Sequence, residues 1–177
     1  MILKRGVTGF TENDLTLERD WDACRAKFKK HCYSYVQQLK GSVLEWHEPD
    51  VDVRYTHAHV KIDRECFYIF YNDMYDYIAF ANNCSIGDLD FIDQPVLKTL
   101  FENRYKVLTV RALEEPLIRQ AKDSGKILFY EDALDNVDLL DSDNILLNEN
   151  DLKDVEIRFM NHFWSRTVGD LVFNYWD

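Results

Sequence analysis

Glycine and proline are scarce in this chain: six glycines and three prolines among 177 residues. That excludes a flexible linker, a low-complexity tail and a collagen-like repeat. The glycines are isolated from one another, so no phosphate-cradling loop is spelled out, and no G-x-S-x-G nucleophile elbow occurs. The four cysteines, Cys24, Cys32, Cys66 and Cys84, form no C-x-x-C pair and sit in no nucleophile signature. Cys24 and Cys32 are eight residues apart in a helical pattern, about 12 Å along the axis, beyond the reach of a disulfide. Reduced, buried thiols in a cytoplasmic protein are therefore expected, and the sequon Asn83-Cys84-Ser85 is read as a chance match. No stretch approaches the length of uncharged apolar chain that a spanning helix needs. Lys4 and Arg5 are followed by polar, acidic residues rather than an apolar run, so no secretory signal is expected.

What is present suits a packed core. Hydrophobic residues make up 46% of the chain and aromatics 14%, and a chain of this length fits one globular domain, residues 1–177. Leu17, Trp21, Cys24, Phe28, Cys32, Tyr35 and Leu39 recur at three- and four-residue steps. They predict a helix over 17–40, with Gly41 ending it and Arg25, Lys27, Lys29 and Lys30 facing water. The period then changes to two. Ser42 to Trp46 reads as a strand. In 51–62, Val53, Tyr55, His57 and His59 share one face while Thr56, Ala58, Val60 and Ile62 share the other. Residues 67–71 and 75–80 flank Asn72-Asp73 as a hairpin. Further on, Pro95 starts a short helical stretch and 106–111 a strand. Glu114-Glu115-Pro116 opens a helix closing near Gly125, 127–130 is a strand and 151–165 a helix. Thr167-Val168-Gly169-Asp170 looks like a capping box. The architecture expected is α+β: an N-terminal helix packed on an antiparallel meander, with a more helical second half.

The net charge of −11 is unevenly placed. Residues 131–152 hold eight acids and 65–97 hold six, neither with any Lys, Arg or His, whereas residues 1–40 and 98–126 are each net positive by three. Unpaired loop acids ordinarily serve solvation. Here Val137, Leu139, Leu140, Ile145, Leu146 and Leu147 are interleaved with the acids, which suits docking onto a basic partner. Asp132, Asp135, Asp138, Asp141 and Asp143 are the candidate partner-binding residues, and nucleic acid is disfavoured because like charge repels phosphate.

His57-Ala58-His59 places two imidazoles on one face of a strand, a spacing that zinc and iron sites use. A metal-dependent or hydrolytic enzyme built on that pair and neighbouring carboxylates is the catalytic alternative, and an acidic adaptor protein the structural one. No third ligand stands at a diagnostic spacing, so no metal and no cofactor are expected. Asp141-Ser142-Asp143-Asn144 opens like a calcium loop, but Ile145 and Leu146 occupy the next ligand position and the turn-glycine position. The aromatic series Phe67 to Phe80 is expected to be core rather than a base-stacking platform. Trp176 is expected to dock with Leu171, Val172 and Phe173.

The opening segment 3–10 (Leu3-Lys4-Arg5-Gly6-Val7-Thr8-Gly9-Phe10) and the closing segment 166–177 (Arg166 through Trp176-Asp177) resemble the ends of small acidic bacterial immunity proteins, which are encoded beside polymorphic or contact-dependent toxins. The resemblance implies a cytoplasmic, non-enzymatic inhibitor that binds a basic toxin domain, of nuclease type. It carries over no site residues.

Overall fold

The computed structural model describes residues 1–8, 19–49, 53, 55–85, 89–129 and 144–173. They fall into two compact units, one built from the described residues of Thr16–Val110 and the other from those of Met1–Leu15 and Arg111–Trp176. The fold is α+β, with an N-terminal helix on an antiparallel meander. No helix among the described residues is long and apolar enough to cross a membrane.

In the first unit, helix α1 runs Trp21–Gln38. It starts at Trp21 because the Asp20 side chain accepts the Ala23 backbone N–H, satisfying one of the donors a helix start leaves open. Leu17 lies outside the described residues. The buried stripe is Phe28, Cys32 and Val36, one residue per turn, while Trp21 and Cys24 are half-buried. The helix does not end on glycine. Lys40 adopts the left-handed conformation at φ 56°. Its N–H bonds the Gln37 carbonyl and the Gly41 N–H bonds the Val36 carbonyl, the paired closure of a Schellman motif. Gly41 is needed for a different reason: a Cβ there would sit 2.5 Å from the Lys61 carbonyl oxygen.

Strands β1 (Ser42–His47), β2 (Thr56–Ile62), β3 (Glu65–Asn72) and β4 (Tyr77–Ala81) form the meander. It is extended by β5 (Phe91–Ile92) and by β6 (Lys106–Val107), which pairs parallel to β4. The face carrying Ala58, Val60, Phe67, Ile69, Tyr71, Ile78 and Phe80 packs with Phe28, Cys32 and Val36 of α1 and with Leu97 and Phe101 of α2 (Pro95–Phe101). Phe28 stacks on Tyr71 at 4.3 Å and lies edge-on to Tyr105 at 6.0 Å. The aromatic series is thus largely core, as the alternation implies, with Tyr68 and Tyr75 half-buried.

The hairpin between β3 and β4 is wider than a two-residue turn. Residues 73–76 form it, with Asp76 at φ 53°, because both of its acids are held by α1 and the residues preceding it. Asp73 Oδ2 accepts from Arg25 Nε at 2.7 Å, and Asp76 Oδ1 accepts from Arg19 and from the Tyr71 hydroxyl, each at 2.6 Å. Arg25 is therefore an ion-pair partner of a buried carboxylate, not a purely solvated side chain.

The second half departs from the sequence expectations in two places. Only 106–107 of the strand expected over 106–111 is extended, and Val110–Leu113 turns into a short helix, α3. No helix runs from Pro116 to Gly125. Pro116 instead bridges Thr167, the Leu117 N–H bonds the Arg166 carbonyl, and Arg119–Gln120 is a strand, β7. A helical continuation would have aimed Arg119 differently, and Arg119 is wholly buried. β7 is the centre of a three-stranded antiparallel sheet between β8 (Ile127–Leu128) and β9 (Ile145–Leu146). Helix α4 (Asp154–His162) and helix α5 (Val168–Val172) complete this unit, α5 starting with the expected box between Thr167 and Asp170.

Two buried charges tie α4 to the rest of the second unit. Glu156 accepts from the Gly6 N–H and the Thr8 hydroxyl, both at 2.8 Å, and from the Lys153 N–H at 3.0 Å. Arg119 reaches the other end of the helix. Its Nε donates to Asn161 Oδ1 at 3.1 Å and one terminal nitrogen donates to the Met160 and Ser165 carbonyls at 3.3 and 2.7 Å. The guanidinium also lies 4.6 Å from the Trp164 ring centre. An acid near the helix N-terminus and a cation near its C-terminus both match the helix dipole. Burial pushes the Arg119 guanidinium down, to about 10, so it stays charged at neutral pH.

Candidate protein-interaction surface

β7, β8 and β9 have two faces, and the register assigns them. Arg119 stands opposite Leu128 on one side and Leu146 on the other, and all three are buried. Gln120 stands opposite Ile127 and Ile145, on the other face of the sheet because successive side chains alternate. There Ile127 is 39% exposed, Phe129 49%, Ile145 44% and Leu147 46%. The Leu147 N–H bonds the Ile118 carbonyl, which continues the β7–β9 pairing by one position.

The same strands launch and receive the acidic stretch. Phe129 follows β8 and Asn144 precedes β9, the two edge strands of this sheet, so residues 130–143 lie between them in sequence. Those 14 residues carry six acids and no Lys, Arg or His. Asp132, Asp135, Asp138, Asp141 and Asp143 all lie outside the described residues, as do Val137, Leu139 and Leu140. Of the remaining members of the 131–152 run, Glu149 and Asp151 are exposed, Leu146 is core, and Ile145 and Leu147 face outward. The start of the calcium-like segment, 141–143, also lies outside them. Its next residue, Asn144, is buried, and Ile145 and Leu146 form strand β9.

The outward face was missed by sequence reasoning, although a signal was there. Ile127-Leu128-Phe129 and Ile145-Leu146-Leu147 are apolar triplets in extended chain. A strand in a sheet covered on one side buries alternate residues, so one or two members of each triplet must face away from the core.

The histidine pair lies in the first unit, on the face of the meander away from α1. His57 stacks on His47 at 4.6 Å, and His59 stacks on Tyr68 at 4.6 Å. His47 lies 3.3 Å from Glu45. Among the described residues no group of three or more His, Cys, Asp or Glu is placed to hold a metal ion. All four cysteines are free thiols, but their burial differs from expectation: Cys32 is buried, Cys24 and Cys84 are half-buried, and Cys66 is exposed. Cys66 faces away from α1 because it pairs with Lys61 rather than with a core position. Burial pushes the Cys32 thiol up, to about 12, so it stays protonated at neutral pH. The terminal residues 174–177, including Trp176, lie outside the described residues, while Leu171, Val172 and Phe173 are buried.

Among the clefts on the described surface, one of about 200 Å³ lies beside β9 and is lined by Lys122, Asn144, Ile145, Asp154, Ile157, Arg158 and Asn161. Another, of about 600 Å³, lies at the β2–β3 turn and the start of α2, where Ile62, Arg64, Glu65 and Val96 contribute. Neither lining contains a histidine, cysteine, serine or threonine.

No family model, no curated protein and no solved structure matches this chain.

Proposed function

We propose that this chain is a cytoplasmic, non-enzymatic inhibitor that binds a basic protein, acting as an immunity protein that neutralises a nuclease-type toxin domain. The observation that carries the reading is the charge of residues 130–143, six acids with no Lys, Arg or His, in the stretch of sequence between the edge strands β8 and β9. The described residues that flank the stretch on either side belong to one three-stranded sheet. A nuclease needs a basic surface to hold phosphates, and an acidic ligand approaching it gains association rate by electrostatic steering. Asp132, Asp135, Asp138, Asp141 and Asp143 are assigned the steering role. The inhibitor needs no cofactor and no metal.

The test is inhibition at stoichiometry. A tagged chain is used to purify its complex from the source cell, the partner is separated in denaturant and refolded, and its nuclease activity is titrated with the chain. The reading requires activity to fall to background near one equivalent. A partner that is acidic, or whose activity is untouched by excess chain, contradicts it.

A further inference from the structure

We propose that the first unit carries a binding site for a phosphate group, free or on a small ester, formed by Lys27, Lys30 and His31 of α1 and Arg104 of the turn after α2. Lys30 and His31 stand three and four residues beyond Lys27, so the three share one face of the helix. Arg104 is brought to that face by its neighbour in sequence. The Tyr105 hydroxyl lies 2.7 Å from His31 Nδ1, and the two rings meet edge-on at 5.8 Å. Tyr105 is itself buried and packs edge-on against Phe28 and Tyr71, so the imidazole is held in place from the core. With Nδ1 engaged, Nε2 is the ring nitrogen left for a ligand. Lys27, Lys30 and Arg104 are exposed, and His31 is half-buried.

The cations in and around α1 divide into two sets. Arg19, Arg25 and Lys29 each lie within ion-pair distance of a carboxylate, on Asp76, Asp73 and Glu48. Among the described residues, no carboxylate lies within that distance of Lys27, Lys30 or Arg104. Glu102, two residues from Arg104, is exposed and pairs with none of them. The charges acting on His31 are those of Arg104, Lys27 and Lys30, all of one sign, and they add to the larger effect of burial in lowering its pKa. Three like charges around one imidazole repel one another until an anion joins them. A phosphate group fits this set, because it carries close to two negative charges at neutral pH and three acceptor oxygens. Its oxygens match the guanidinium fork, and lysine ammoniums serve it as point charges. The chain's net charge of −11 does not forbid this, since exposed charges farther off than about 8 Å are largely screened at physiological salt. Residues three and four apart on a helix are only about 5–6 Å apart at Cβ.

The experiment is a titration of the full chain with inorganic phosphate at constant ionic strength, read from the imidazole proton signals of its five histidines by NMR. The His31 signal is assigned by its loss in His31→Gln. The expected result is a saturable shift confined to that signal, half-complete at or below about 5 mM phosphate. The pKa of His31 should rise on saturation, because the anion replaces repulsion by attraction. Lys27→Gln/Arg104→Gln should weaken binding about tenfold or more with an unchanged unfolding midpoint, while Lys61→Gln, on β2, leaves it at the parent value. Glycerol phosphate should give the same response, and acetate none. No saturable shift below about 20 mM phosphate, an equal shift in the other histidines, or parent affinity in the double glutamine variant overturns the proposal. Vesicles of phosphatidic acid in phosphatidylcholine that sediment the chain, with glycerol phosphate leaving His31 unmoved, also overturn it, since the ligand would then be a membrane surface.

Discussion

Removing Arg119 should open the second unit. Its side chain is fully buried, and its partners are carbonyl oxygens, the Asn161 amide oxygen and the Trp164 ring rather than a carboxylate. Arg119→Ala strips the donor from Ser165 O, Met160 O and Asn161 Oδ1. A buried acceptor left unpaired costs about 1 kcal/mol at the low end, so the three together cost about 3 kcal/mol. Loss of the guanidinium from the Trp164 face adds about 1 kcal/mol, giving about 4 kcal/mol. Part of this is offset because a buried cation without a counter-ion is itself costly to desolvate. Arg119→Met separates the effects: it keeps the volume, drops the charge, and should cost about 2 kcal/mol less than alanine. Arg119→Lys keeps the charge but not the fork, and should fall between the two. The assay is amide hydrogen exchange by mass spectrometry over peptides from α4, read as an opening free energy. Without that offset, a loss of about 4 kcal/mol is about a thousandfold in the opening constant, which is the upper end of the expected effect. An alanine variant whose α4 amides exchange within about fivefold of the parent would refute the network as the tie between β7 and the helix C-terminus.

Two further perturbations test the first unit. Gly41→Ala should cost about 1–3 kcal/mol in urea unfolding, because the added Cβ meets the Lys61 carbonyl oxygen at 2.5 Å and Ile62 Cγ1 at 2.7 Å. Lys40→Gly should stabilise by about 1 kcal/mol, since it relieves a left-handed residue in an otherwise unchanged Schellman closure. The two opposite signs at adjacent positions are the discriminating result. Arg25→Ala should cost about 2 kcal/mol at pH 7, below the figure for a fully buried pair because Arg25 is a quarter exposed. Burial holds the Asp73 carboxyl above its usual range and Arg25 pulls it back down, so the variant raises it further. A carboxyl whose folded pKa is raised begins to cost stability above its unfolded pKa and costs the full amount above the folded one. The deficit should therefore shrink as pH falls towards about 4, and a deficit constant across that range counts against the assignment.

Much of the first unit was legible in the sequence because its signals are local and periodic. The two faces of β2 follow from strict alternation at 55–62, and α1 from its apolar stripe. The helix start was misplaced because an N-cap, Asp20, decides it rather than the stripe. The second unit was less legible because its strands are two residues long, too short to show a period. Pro116 fits the first turn of a helix as well as it fits a bridge, and Arg119 reads as a surface residue until its tertiary partners are known. Glu156 is a helix-surface acid by sequence, yet it is buried by contacts to residues 6 and 8, about 150 positions away. For the candidate surface, the sequence revealed the charge and the interleaved aliphatic residues. Only the register showed which of those residues turn outward.

The most direct test of the account is the association rate with the basic partner as a function of salt. Stopped-flow mixing is run from about 0.05 to about 0.5 M salt for the parent chain and for Asp135→Asn/Asp138→Asn/Asp141→Asn/Asp143→Asn. If the stretch between β8 and β9 steers the encounter, the parent rate falls steeply over that range as the Debye length shortens from above to below about 10 Å. The variant should associate about tenfold or more slowly at the low end with a flatter salt dependence, while its unfolding midpoint stays unchanged. Equal rates for the two chains at the lowest salt would contradict the account, leaving the acids as solvating charge alone.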